Sequence, residues 1–108
     1  MLTYIHQNYQ HQITLKDIAD IGNISIASAN RLFKSMIDQS PYDYLIHYRL
    51  LKSVDYLLET SYNINEISYK VGFTNTNHFI QTFKRKYHLT PKKYKQFILQ
   101  TTNLIEKS

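Results

Sequence analysis

Apolar positions recur along this chain at helical spacing rather than with the alternation of a strand. Ile18, Ala19 and Ile21 form a short stripe, and Ala29, Leu32, Phe33, Met36 and Ile37 form a longer one. Ahead of them, Tyr4 to Tyr9 reads as the last turns of a helix whose beginning is missing. Thr14, followed three residues later by Asp17, reads as a helix start. The hydroxyl can accept from the backbone amide three residues on, and an acid suits the positive end of the helix. Gly22 and Asn23 are expected to stop that helix, and Ser25 to cap a second one running to about Ile37.

Ser40-Pro41 opens the next helix, with Ser as N-cap and Pro in the first helical position. Its apolar residues run from Tyr44 and Leu45 through Leu50, Leu51 and Val54 to Leu57 and Leu58. They lie nearly all round the helix, so it is expected to be covered on more than one side and to link two halves up to about Glu59. At about 1.5 Å per residue, its 19 or so residues span roughly 28 Å. Asn63, with Glu66 three residues on, then starts another helix whose core positions are Ile67, Val71 and Phe73, with Gly72 at the turn. Thr74 or Asn75 caps a helix to about Tyr87 that turns Phe79, Phe83 and Tyr87 inward. Thr90-Pro91 opens a last helix, and the polar tail after about Leu99 is expected to fray.

The second half repeats the first. Asp17-Ile18-Ala19 is echoed by Glu66-Ile67-Ser68 at an offset of 49, whereas Phe33-Lys34, Ser40-Pro41 and Tyr44 return as Phe83-Lys84, Thr90-Pro91 and Tyr94 at 50. Two similar helical units suggest a partner that is itself periodic.

Composition narrows the choice. A chain of 108 residues makes one domain, or two very small ones, and its 43% hydrophobic content is that of a folded protein. Two Gly and two Pro leave little turn material for a β-sandwich or a parallel sheet. The absence of Cys excludes disulfides, zinc fingers and thiol catalysis. The polar stretch Met1 to Gln10 lacks the apolar centre of a signal peptide, and no segment approaches the length of a membrane span, so a cytoplasmic location is expected. A net charge of +5 and a pI near 9.4 favour an anionic partner. Lys84, Arg85, Lys86, Lys92, Lys93 and Lys95 gather towards the C-terminus.

These residues resemble the AraC/XylS family of bacterial transcription regulators, and its MarA-like members in particular. The resemblance covers about Ile5 to Tyr94. Its first half is carried by Leu15, Ile18-Ala19, Ser25, Arg31-Leu32-Phe33-Lys34, Ser40-Pro41, Tyr44-Leu45 and Arg49. The second half is carried by Ile64, Ile67, Val71-Gly72-Phe73, Phe79, Phe83-Lys84, Thr90-Pro91 and Tyr94. The resemblance implies an all-α domain of seven helices: two helix-turn-helix subdomains, about 1–40 and 60–100, joined by a long linker helix, with a polar tail at 101–108. It implies double-stranded DNA as partner, with one recognition helix from each subdomain in adjacent major grooves about 34–36 Å apart on one face. It further implies an activator that works with RNA polymerase, and often a separate effector or dimerisation domain. The clipped first helix suggests a fragment of such a longer regulator. The chain departs from the family pattern at Asp38 and His88, where Gly is usual, at Ala29, where a larger apolar residue is usual, and at Ile26, where Pro is common.

Recognition helices read bases with their first turns. On the helix from Ser25, the face opposite Phe33 carries Ala27, Asn30, Arg31 and Lys34. Ala can meet a thymine methyl, Asn an adenine edge and Arg a guanine edge. The first three are therefore the expected base readers, with Ser25 and Lys34 at the phosphates. The competing reading has Arg31 in a structural ion pair and Asn30 merely solvated. In the second half Asn77, His78 and Gln81 are the base-reading candidates, and Thr76 joins them through the family pattern. Asn75, Lys84 and Arg85 are the phosphate candidates. No cofactor or catalytic group is expected. The five His never stand four apart, and there is no Gly-rich phosphate loop. Two alternatives stand beside DNA reading: a basic helical module that binds an acidic protein, and the DNA-binding part of a larger repair or regulatory protein.

Overall fold

The computed structural model describes residues 1–107 and is all-helical over them: α1 (Leu2–Asn8), α2 (Leu15–Ile21), α3 (Ile26–Ile37), α4 (Pro41–Glu59), α5 (Ile64–Lys70), α6 (Thr76–Tyr87) and α7 (Pro91–Lys107). No helix among the described residues is long and apolar enough to cross a membrane. The chain forms two compact units, Met1–Arg49 and Leu50–Ser108, so the division falls within α4.

Local chemistry accounts for the helix ends. Thr14 Oγ1 accepts from the Asp17 amide while the Asp17 carboxylate accepts from the Thr14 amide, and Asn63 and Glu66 repeat this reciprocal cap at α5. Both short helices also stop in the same way. The Ile24 amide donates to the Ala19 carbonyl and the Asn23 amide to Asp20; Phe73 donates to Ser68 and Gly72 to Tyr69. This pairing closes a helix through a left-handed residue, here Asn23 at φ 56° and Gly72 at φ 101°. Of the two expected stop residues, Gly22 is right-handed at φ −84° and Asn23 is the left-handed one. Asn23 takes the strained role because it is the residue aligned with Gly72. Residues 22–25 link α2 to α3 and residues 71–75 link α5 to α6, so the second turn is one residue longer. That extra residue moves the repeat offset from 49 to 50.

In the first unit Ile5, Tyr9, Ile18, Ala19, Ala29, Phe33 and Leu45 are buried. His6 stacks on Tyr48, with ring centroids 4.4 Å apart, and hydrogen-bonds to the Tyr44 hydroxyl. Phe33 meets Tyr44 edge-on. In the second unit Ile67, Val71, Phe73, Phe79 and Phe83 are buried, and an aromatic ladder runs from Phe73 through Phe79 and Phe83 to Tyr87 and Tyr94. Each buried Phe contributes about 1.5–3 kcal/mol by leaving water.

Several expectations are corrected. Leu32 and Met36, placed on the inward stripe of α3, are 40% and 69% exposed. A twelve-residue helix meets its unit along a narrow seam, and Ala29 and Phe33 fill it. Leu51 and Leu58 of α4 are likewise exposed, while Arg49 and Ser53 lie inside. The tail does not fray after Leu99: α7 continues to Lys107. No Gly or Pro follows Pro91 to end it.

Candidate nucleic-acid interface

In each unit the second helix of the helix-turn-helix pair turns one face inward and presents the other to solvent. Ala29 and Phe33 hold α3 in place, which leaves Ala27, Asn30, Arg31 and Lys34 exposed, as expected. Phe79 and Phe83 do the same for α6, and Asn77, His78, Gln81, Lys84 and Arg85 are exposed. Thr76 is only half-buried, and its hydroxyl donates to Asn65 Oδ1, so it is tied to α5.

The start of each helix is fixed by a cap. Ser25 Oγ accepts from the Ser28 amide at 3.1 Å, and Asn75 Oδ1, rather than Thr74, accepts from the His78 amide at 3.0 Å. First-turn amides have no partner within their own helix and carry the positive end of its dipole, which suits phosphate. The expected phosphate residues Ser25 and Asn75 therefore spend their side chains on the helix itself.

Sequence reading overlooked Ser28. It receives the Ser25 hydroxyl at 3.0 Å and the Arg31 guanidinium at 3.1 Å, so it aims Arg31 along the helix face. The run Ser25, Ser28, Arg31, each three apart, was the available signal. The alternative of a structural ion pair for Arg31 is replaced by this hydroxyl contact. His78 packs edge-on against Phe73 at 5.4 Å, which restricts where its ring can point.

The cations differ in their surroundings. Lys34 Nζ pairs with Asp38 Oδ1 at 2.6 Å on open surface. The hydrogen bond and charge of Asp38 raise the Lys34 pKa, and Lys34 in turn holds the Asp38 carboxyl below its ordinary value. Burial lowers the pKa of Lys86, which rests near the Tyr87 ring and is half-buried rather than part of an open basic face. Gln81, Lys84, Arg85 and His88 line one shallow open cleft.

A helix-turn-helix domain model matches residues 18–96, which takes in both helix pairs and the linker between them. The chain belongs to the AraC-type helix-turn-helix family. It is 41% identical over 96 residues to the uncharacterized HTH-type transcriptional regulator YdeC of Bacillus subtilis, covering 89% of this chain and 33% of that protein. Among solved structures, the C-terminal domain of the response regulator yesN of Fusobacterium nucleatum is 33% identical with a TM-score of 0.83, covering 87% of this chain and 92% of that one. A Chromobacterium violaceum transcriptional regulator of AraC-type is 26% identical with a TM-score of 0.83, covering 88% and 85%. This AraC-type chain spans about a third of the length of the curated relatives it matches.

Proposed function

We propose that this AraC-type domain reads duplex DNA with two heads, laying α3 and α6 in successive major grooves as the DNA-contacting part of a bacterial transcription regulator. One observation carries the reading. Two equivalent helices, each capped and one anchored by an Ala–Phe pair and the other by a Phe pair, each present exposed amide and guanidinium groups along their own outer face. Ala27, Asn30 and Arg31 read bases in the first unit, and Asn77, His78 and Gln81 do so in the second, with Thr76 at the edge of that face. Lys34, Lys84 and Arg85 lie at the phosphates, where Ser25 and Asn75 act by orienting first-turn amides. Regulation is by activation, as in the lactose operon transcription activator of Staphylococcus xylosus, which is 32% identical over 85% of this chain and 33% of its own length. RNA polymerase and an effector-binding or dimerisation domain complete the proposed assembly, in the cytoplasm.

Selection of bound duplexes from a random pool tests the reading. Two sequence boxes about one helical turn apart are expected. On the selected target, Arg31→Ala and Gln81→Ala each lower preference over random duplex by about 1–3 kcal/mol. Equal weakening on target and random duplex would remove the base-reading role from the residue concerned.

A further inference from the structure

The two units do not share the charge of the chain. Of its 13 Lys and Arg and 8 Asp and Glu, Met1–Arg49 holds four of each, whereas Leu50–Ser108 holds nine and four. The whole net charge of +5 therefore resides in the second unit. The same asymmetry recurs at one pair of equivalent residues. The exposed row Ala27, Arg31, Lys34 continues one turn further to Asp38, and the row Asn77, Gln81, Lys84 continues to His88. Both terminal residues are left-handed, at φ 56° and 68°, and their amides donate to the carbonyls of Lys34 and Lys84. The backbone is thus the same in both, and only the side chain differs. In the first unit a carboxylate takes the lysine, with side chains 70% and 84% exposed. In the second, an imidazole stands with Lys84 and Arg85 around one cleft.

We propose that Asp38 mutes the first unit's grip on the phosphate backbone by occupying Lys34, so that the second unit anchors the protein on DNA and the first contributes mainly base discrimination. The inference rests on the DNA-binding reading of α3 and α6. Sequence-independent affinity comes from lysine and arginine displacing condensed counterions, and each phosphate contact adds about 0.9 to the slope of log K against log salt concentration. A lysine already paired must leave its carboxylate to make such a contact, and the carboxylate left behind repels the same phosphate. Asp38 acts through Lys34 and is a positioning residue.

Anisotropy titrations of labelled random and selected duplexes, at roughly 50 to 200 mM salt, test this on the full chain. Asp38→Asn keeps a residue that tolerates the left-handed backbone and removes the charge. It is expected to tighten both duplexes about threefold to tenfold and to steepen the salt slope by about one. Asp38→Gly, which suits φ 56°, should do the same, and Asp38→Glu should restore the native slope. Adding Lys34→Ala to Asp38→Asn should abolish the gain. His88→Asp should weaken binding and flatten the slope. An unchanged slope in both Asp38→Asn and Asp38→Gly, with native binding intact, overturns the masking role and leaves the DNA reading standing. A gain that survives Lys34→Ala overturns it too, since the effect would then be a general field. If the native chain retains no duplex even at low salt, the DNA reading falls and this inference with it.

Discussion

Arg49 carries a structural task that its charge conceals. It is 6% exposed, and its Nε and Nη2 donate to the carbonyls of Tyr9 and His11 at 2.8 Å each, closing the chain where α1 ends. Burial lowers its pKa, yet a guanidinium stays charged at any pH the fold survives. Replacing it strands two carbonyls. Arg49→Leu should lower unfolding free energy by about 2–4 kcal/mol in urea titration, and a loss below about 0.5 kcal/mol would contradict the assigned bonds. Ser68 is the opposite case. Its hydroxyl is buried without a hydrogen-bond partner, while its counterpart in the first unit is the buried Ala19. Ser68→Ala should therefore raise stability by up to about 1 kcal/mol, read as a higher melting temperature. A clear drop would mean the hydroxyl has found a partner. Neither role was legible beforehand: Arg49 entered only as one residue of the family resemblance, and Ser68 only as the echo of Ala19.

Among the elements, the short helices depend most on their ends. A seven-residue helix cannot persist alone, since nucleation is costly and few bonds follow. Asn63→Ala removes one side of the α5 cap and should cost about 1 kcal/mol in chemical denaturation; no measurable change would show that packing alone holds α5. Caps were the best-read features of the sequence, because a Thr or Asn followed three residues on by an acid states its own hydrogen bonds. Stripes were read less well. Leu32 and Met36 follow helical spacing as faithfully as Phe33 does, yet only Phe33 is buried. The stop of α7 was misjudged because polarity does not end a helix where no backbone signal does.

At the scale of the whole molecule, charge divides between the units more sharply than composition suggests. Lys92 and Lys93, in the first turn of α7, are exposed in the basic unit. Lys93→Ala is expected to weaken target and random duplex alike and to reduce the salt slope by about one. A change in target preference would instead mean that Lys93 reads sequence. The division also explains why net charge was a blunt guide to the candidate interface. It announced an anion without saying which unit would hold it, and it gave no sign that Lys34 is already paired.

Residue order by itself determined the helices, their caps, the repetition of one unit's pattern by the other, and the polar rows on α3 and α6. Those are short-range properties, decided within about four residues by backbone hydrogen bonding and the helical period. Only the tertiary structure decided which apolar positions are covered and that Arg49 belongs inside. A periodic pattern names a face but not the surface that will meet it, and that surface is built from residues distant along the chain.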